Sequence, residues 1–260
     1  MRQRLVTVAH GTRDAAGPPA IRSLVRRVAR RLPGVEVVES YVELCEPSFC
    51  AVMAAATGPS VVVPLLMSTG YHVNRDLPET ARHSPCPVTL SRPLGPHPLL
   101  AAAGAALLRA AGAAPGDAVV LVVAGSRDPG ASVDASVAAR LLQARWGGGP
   151  VRAAFLSGAG PGVAEVMEQL RQEGHRRIAA SPYLLAPGHF ATRADALTRA
   201  HGAHAVGAVL AGNPLVAELV VRRYRAASRQ AVRGSRADSA ASTSSPSASD
   251  TRASRSSGSM

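Results

Sequence analysis

The chain has 260 residues, enough for one large α/β domain or two smaller ones, and carries a formal net charge of +12. All 29 basic residues are arginine, and the absence of lysine excludes a Schiff-base lysine and a Walker-type phosphate loop. Aromatic residues make up only 3% of the chain, so it lacks the aromatic and basic stripe of a nucleic-acid platform, and we expect no nucleic-acid partner.

Apolar periodicity predicts alternating strands and helices along the first half of the chain. Strands are predicted over residues 4–10, 35–42, 60–67 and 86–91. Helices are predicted over 18–32, from about 47, and over 98–111. The first helix places apolar residues at a spacing of three and four on one face and arginines on the other, which is typical of a helix packed on a sheet.

The second half repeats this alternation. Strands are predicted over 118–125, 151–156, 177–185 and 205–211, and helices over 130–145, 161–173, 190–200 and from about 214. Strands that alternate with helices of this length predict an α/β fold of two similar lobes, each with a parallel sheet covered by helices.

The two halves also match residue by residue. "HGTRD" at 10–14 matches "AGSRD" at 124–128, and "YVELCEP" at 41–47 matches "FLSGAGP" at 155–161, both at an offset of 114. "PLLMSTGYH" at 64–72 matches "PYLLAPGHF" at 182–190 at an offset of 118, and "LGPHPLL" at 94–100 matches "LAGNPLV" at 210–216 at an offset of 116. We interpret this as an internal duplication, with lobes at 1–113 and 114–225. The Ser/Ala/Arg-rich tail, 226–260, is predicted to be disordered.

Three polar residues of the first half have no polar ionisable counterpart in the second. His10 aligns with Ala124, Glu43 with Ser157, and His72 with Phe190.

Each of these three residues lies at or just past the carboxyl end of a predicted strand, and ligands of open α/β sheets bind at this edge. Taken singly, each could be a structural histidine or a solvated acid. Their joint loss in the repeat favours one metal or acid/base site.

Two imidazoles and a carboxylate suit a divalent metal such as Fe²⁺, Co²⁺, Ni²⁺ or Zn²⁺. Three protein ligands leave coordination positions open, as a reactive centre needs and a closed structural site does not. The sequence therefore predicts a reactive metal site in the first lobe and a vestigial one in the second.

Other polar residues carry weaker signals. Arg13 and Asp14 recur as Arg127 and Asp128 in the half without the site, which favours a role in the turn, with an Arg13 contact to an anionic ligand as the alternative. The glycine-rich "SGAGPG" at 157–162 does not fit GxGxxG, which disfavours a nucleotide- or flavin-binding module.

The cysteines and the chain's first residues bear on location. Cys45, Cys50 and Cys86 form no CxxC pair, which is typical of free thiols in a reducing cytoplasm. The apolar run near Met1 is too short for a signal peptide, and no run of 18 apolar residues follows. We expect a cytoplasmic protein without a membrane partner.

The segments "VAHGTRD", "YVELCEP", "VVPLLMSTGYHVNRDLP" and "SPYLLAPGHF" resemble the sirohydrochlorin chelatases, the small class II tetrapyrrole chelatases, over residues 4 to 220. The resemblance implies two flavodoxin-like lobes that face each other across a cleft. It also implies insertion of Co²⁺ or Fe²⁺ into sirohydrochlorin without ATP. The family's metal-site histidines would fall on His10 and His72, with Glu43 at the acidic position. These three residues are also the candidates for accepting protons from the macrocycle.

The resemblance extends to the substrate and its cleft. The macrocycle carries many carboxylates, so Arg13 and Arg75 are candidates for orienting it through charge-assisted hydrogen bonds, and His189 could line the cleft from the second lobe. The metal is a substrate, and no tightly bound cofactor is expected. Cobalt or iron, the siroheme or the cobalamin pathway, and a monomer or a homodimer all stay open, as does a non-catalytic carrier of tetrapyrrole or divalent metal.

Overall fold

The protein is described by a computed structural model covering the backbone of residues 4–242 and the side chains of residues 4–233. In the first half the elements are β1 (Arg4–Ala9), α1 (Gly17–Arg30), β2 (Glu36–Tyr41), α2 (Phe49–Ala54), β3 (Ser60–Pro64), a π-helical turn (His72–Asp76), α3 (Leu77–Arg82), β4 (Val88–Leu90) and α4 (Pro98–Ala110).

The second half runs in the same order. Its elements are β5 (Ala118–Val123), α5 (Pro129–Trp146), β6 (Val151–Phe155), α6 (Val163–Gln172), β7 (Ile178–Pro182), α7 (His189–Ala200), β8 (Ala205–Val206), a 3₁₀ turn (Leu210–Gly212) and α8 (Pro214–Ser242).

Each half forms a four-stranded parallel sheet. The strand orders are β2-β1-β3-β4 and β6-β5-β7-β8, which are the same order in the two halves. The predicted α/β fold with two similar parallel-sheet lobes is therefore confirmed. In both sheets the strand order switches direction beside the first strand, between β1 and β3 and between β5 and β7. This switch opens a crevice at the carboxyl ends of these strands, where ligands of such sheets bind.

The helices that end the two halves exchange places. α4, from the first half, packs on α5 and β7, while α8, from the second half, packs on α1, β3 and β4. Their buried side chains, Leu100 and Leu108 on α4 and Val216 and Leu219 on α8, belong to one hydrophobic cluster that includes residues of both sheets. The division at residue 113 follows the repeat in sequence, and each sheet takes its last covering helix from the other half.

The structure differs from the predicted elements in three places. The strand predicted over 205–211 is limited to β8 (Ala205–Val206), and a 3₁₀ turn begins at Leu210. Helix α8 continues to Ser242, so residues 226–242 of the predicted disordered tail are helical, and residues 243–260 lie outside the described part. Tyr224 and Ala227 are buried and continue the apolar spacing of Val220, so packing extends the helix beyond the predicted boundary. The π-helical turn and α3 were not predicted, because this polar stretch has no apolar period.

Within residues 4–242 no helix is both long enough and apolar enough to cross a bilayer.

Candidate metal centre

The side chains of His10, Glu43 and His72 converge at the carboxyl edge of the first sheet. One ligand atom from each of the three lies within 4.8 Å of the other two. Nε2 of His10 is 3.3 Å from Oε1 of Glu43, and the two imidazole rings lie edge to face with their centroids 5.0 Å apart. Among the described residues this is the one group of three such side chains that could hold a metal ion.

Backbone hydrogen bonds beyond the strand ends fix the separation of two of these residues. The N–H of Val42 donates to the Ala9 carbonyl at 2.8 Å, and the N–H of Glu43 donates to the His10 carbonyl at 3.0 Å. The ladder between β1 and β2 therefore continues for two residues and delivers His10 and Glu43 side by side.

Gly11 permits this approach. Its φ is +98°, and a Cβ at this position would lie 1.7 Å from the Glu43 carbonyl oxygen. Only glycine meets both conditions, because other residues avoid this φ and have no room for their side chain.

His72 reaches the site from the π-helical turn after β3. Its Nδ1 is 2.6 Å from Oδ2 of Asp76, four residues further along. This carboxylate favours the tautomer with the proton on Nδ1 and leaves Nε2 as the ligand atom, an arrangement that also makes the imidazole a stronger ligand. The sequence analysis missed Asp76, although the H-x₃-D spacing was a usable signal. π-helical turns occur frequently at functional sites.

The site is open to solvent. The side chains of His10 and Glu43 are each 48% exposed and that of His72 is 30% exposed. An ion held here would keep coordination positions that face the solvent, so a substrate can reach it.

The second half keeps the backbone of this site without its ligands. The N–H of Leu156 donates to the Val123 carbonyl at 3.0 Å, as Val42 does to Ala9. Gly125 has a φ of +88°, and a Cβ there would lie 1.8 Å from the Ser157 carbonyl oxygen. The Ser157 hydroxyl donates to the Ala124 carbonyl at 2.8 Å, a hydrogen bond that closes the turn without metal chemistry.

The other candidates lie outside the metal-ligating group. Arg13 and Arg75 are exposed, three residues after His10 and His72 respectively. His189 is exposed at the start of α7, and its ring contacts Phe190 at a centroid distance of 5.6 Å.

The predicted turn role of Asp14 and Asp128 is seen in the structure. Asp14 Oδ1 accepts from the Ala16 N–H at 2.9 Å. Asp128 is the N-cap of α5 and accepts from the Gly130 N–H at 2.8 Å.

Exposed apolar side chains adjoin the site residues, a feature that the sequence analysis missed. Leu44 follows Glu43 and is 48% exposed, Tyr71 precedes His72 and is 66% exposed, and Phe190 is 37% exposed. Leu44 and Tyr71 therefore place exposed apolar side chains next in sequence to two of the three site residues.

The fold and the site together define a two-lobed α/β protein with a candidate metal centre at the sheet edge of one lobe. The model of the CbiX family matches residues 4–111 and matches again over 118–227. The chain therefore belongs to the CbiX family and contains its unit twice, as the internal repeat predicts.

Curated relatives with this similarity are chelatases by name. The chain is 29% identical to the sirohydrochlorin ferrochelatase of Bacillus subtilis (strain 168) over 199 residues, which cover 72% of this chain and 76% of that protein. It is 25% identical over 114 residues to the sirohydrochlorin cobaltochelatase of Methanococcoides burtonii, which cover 37% of this chain and 87% of that protein. The second relative corresponds to one half of this chain.

Solved structures agree with the fold. SirB from Bacillus subtilis with Fe³⁺ superposes with a TM-score of 0.72 at 26% identity, over 86% of this chain and 95% of that one. The structure described as CbiX, the terminal enzyme of siroheme biosynthesis in denitrifying bacteria, superposes with a TM-score of 0.64 at 24% identity, over 86% of this chain and 99% of that one.

Proposed function

We propose that this protein inserts a divalent metal, Co²⁺ or Fe²⁺, into sirohydrochlorin without ATP. The observation that carries the proposal is the convergence of His10, Glu43 and His72 at an open sheet edge. The named activities of its relatives in the CbiX family supply the substrate. In this proposal residues 1–113 form the working lobe, and residues 114–225 form a lobe with a degenerate site.

The three ligands can deliver the metal as well as bind it. Two imidazoles and one carboxylate bind Co²⁺ or Fe²⁺ and leave positions for water or a ring nitrogen. As pyrrole nitrogens replace the water and then the protein ligands, the ion moves from the sheet edge into the macrocycle. Both metals accept this ligand set, so supply decides between them as much as affinity does.

The same residues can accept the protons that metallation releases. Entry of the ion replaces two pyrrole N–H protons, so two protons must leave the ring centre. His10, Glu43 and His72 stand where the ring nitrogens would meet the ion and can act as general bases. A proton on His72 would be stabilised by the Asp76 carboxylate at 2.6 Å.

The rim of the site fits a flat, polycarboxylate ring. Leu44, Tyr71 and Phe190 offer apolar surface to the macrocycle face. Arg13 and Arg75 are exposed guanidinium groups for its peripheral carboxylates, and His189 contributes from the second lobe.

The proposal includes the setting of the reaction. Cys45, Cys50 and Cys86 are free thiols, which fits a reducing cytoplasm. The metal is a substrate and no tightly bound cofactor is required. The working unit is a monomer or a homodimer and acts without nucleic acid or membrane.

Anaerobic metal insertion tests the proposal. With sirohydrochlorin and Co²⁺ or Fe²⁺ in large excess over the wild-type protein, each protein molecule should metallate many molecules of sirohydrochlorin. The change in macrocycle absorbance measures the reaction. His10→Ala and His72→Ala should each lose most of this rate, while His83→Ala, a change at an exposed histidine of α3's C-terminal end, should retain it.

Two results would overturn the proposal. Stoichiometric binding of macrocycle or metal without turnover would establish a carrier. Full activity of both His10→Ala and His72→Ala would remove the metal site from these residues.

A further inference from the structure

We propose that Asp134, a residue of the half without metal ligands, is a positioning residue for His72. The inference rests on the metal site proposed above. It assigns the second lobe a part in building that site, through a contact to the loop that carries His72.

The contact is short and uses one carboxylate oxygen twice. Oδ2 of Asp134, on α5, accepts a hydrogen bond from the Thr69 N–H and another from the Thr69 hydroxyl, both at 2.7 Å. Both residues are half-buried. Charge-assisted hydrogen bonds of this length are stronger than neutral ones.

Thr69 lies where the loop leaves the first sheet. This segment makes its last hydrogen bonds to neighbouring strand ends at Leu65 and Leu66. The Leu65 N–H donates to the Val8 carbonyl, and the Leu66 carbonyl accepts from the Leu94 N–H. His72 follows Thr69 by three residues, and the Asn74 N–H donates to the Gly70 carbonyl at 2.9 Å where the chain enters the π-helical turn. A displacement of Thr69 is therefore carried to His72 through a single short turn.

Two further contacts hold the same loop against the start of α5. The Asn74 side-chain amide is 3.4 Å from Oδ2 of Asp128, the N-cap residue of α5. A Cβ at Gly130 would lie 3.3 Å from the Thr69 hydroxyl, so the loop runs closely past the first turn of α5.

The internal repeat supplies the comparison that isolates this contact. The loop of the second half also packs on the first half, since a Cβ at Gly17 would lie 3.0 Å from the Pro187 carbonyl. At the offsets of the repeat, however, Asp134 aligns with Ala20 and Thr69 aligns with Pro187. Neither counterpart can form the hydrogen bonds. The loop that leads to His72 thus has a hydrogen-bonded contact with the other lobe. The loop that leads to Phe190 has a proline and an alanine at the matching positions.

The same logic that identifies the metal ligands therefore extends to Asp134. His10, Glu43 and His72 are ionisable groups with no ionisable counterpart in the repeat, and so is the carboxylate that fixes the loop of His72. The second half lacks the three candidate ligands and carries the residue that orders the loop of one of them.

Cobalt binding by the full-length chain tests the inference without requiring turnover. Co²⁺ is titrated anaerobically into wild type, Asp134→Ala and Thr69→Val, and binding is measured by the visible d–d absorption of the bound ion. Asp134→Ala should weaken Co²⁺ binding about 10-fold and alter the spectrum, because His72 no longer holds one position. Thr69→Val removes the hydroxyl and retains the backbone N–H, so its loss should be smaller.

The controls separate positioning from stability. Asp195→Ala removes an exposed carboxylate of the same half that pairs with Arg199, and it should leave Co²⁺ affinity and spectrum unchanged. In the double variant the effects of Asp134→Ala and Thr69→Val should not add, because both remove one contact. If Asp134→Ala fails to fold, Thr69→Val alone carries the test.

Wild-type Co²⁺ affinity and spectrum in the folded variants would overturn the inference, whatever the change in melting temperature. A wild-type protein that binds Co²⁺ and never metallates sirohydrochlorin would refute the proposed function, and it would leave the positioning role of Asp134 intact.

Discussion

At the residue scale, His72 depends on Asp76 for its orientation. The 2.6 Å contact between Nδ1 and the carboxylate favours the tautomer with the proton on Nδ1, which leaves Nε2 available to a metal ion. Asp76→Ala should therefore weaken Co²⁺ binding by about 10-fold to 100-fold. Isothermal titration measures the affinity. The matched change Glu79→Gln, on a nearby exposed carboxylate, should bind as wild type does. Equal affinity of Asp76→Ala and wild type would show that the ring is held by other contacts.

Gly11 allows His10 and Glu43 to lie side by side. Gly11→Ala adds a Cβ 1.7 Å from the Glu43 carbonyl oxygen and also strains a φ of +98°. The control Gly112→Ala has a similar φ of +91° and nothing within 4 Å, so it measures the backbone strain alone, about 1 kcal/mol.

We expect Gly11→Ala to lower the free energy of unfolding by about 3 kcal/mol or more and to abolish Co²⁺ binding, as measured by denaturation and titration. If the two variants lose the same stability and both bind Co²⁺, the close approach is not required.

Comparison within the chain was enough to predict the trio, because two imidazoles and a carboxylate vanish together at matching positions. Asp76 and Asp134 escaped notice for different reasons. Asp76 lies four residues after His72, a spacing that could have marked it as a partner, but it acts through His72 and is not itself one of the candidate ligands. Asp134 contacts Thr69, 65 positions away, and such a pairing depends on how two lobes pack.

At the element scale, the amino ends of the second sheet meet in a polar cluster centred on Asp117. This buried residue precedes β5 and accepts hydrogen bonds from Arg177, from His204 and from the Ala114 N–H. Burial raises the pKa of the Asp117 carboxyl, and these hydrogen bonds outweigh burial and hold the pKa below its usual range. The cluster lies at the amino ends of the second sheet, whereas His10, Glu43 and His72 lie at the carboxyl edge of the first sheet, so we assign the cluster a structural role.

The cluster predicts acid sensitivity. The unfolded chain takes up a proton at Asp117 below about pH 4, whereas the folded chain resists it. The stabilisation is complete above that pH and is lost as the pH falls through the lowered pKa.

Asp117→Asn should melt about 4 °C lower than wild type at pH 7, and the gap should narrow below pH 4. Melting curves across pH measure both. A gap that stays constant with pH would show that the charge of Asp117 contributes nothing.

The strands and most helices follow from apolar periodicity, and the structure confirms them with ends shifted by a few residues. The π-helical turn did not follow, since its residues, "HVNRD", include one apolar side chain and none that is buried, and so show no helical face. The predicted start of the disordered tail was wrong, because buried Tyr224 and Ala227 extend the packing of α8 into a stretch whose composition predicts disorder.

At the scale of the whole molecule, the chain contains two copies of one fold, and the candidate metal centre lies in the first copy. The halves share a sheet order, exchange their last helices and retain the same glycine turn at Gly11 and Gly125. What distinguishes them is chemical: ligands on one side, and on the other an alanine, a serine and a phenylalanine. This account requires that a chain with two copies of the fold bind one metal ion.

Counting bound metal tests that requirement most directly. Anaerobic Co²⁺ titration of the full chain, followed by equilibrium dialysis and metal analysis, should give one ion per chain in wild type and none in the variant His10→Ala/His72→Ala. Two ions per wild-type chain, or one ion retained in the double variant, would contradict the assignment of a single metal centre to His10, Glu43 and His72.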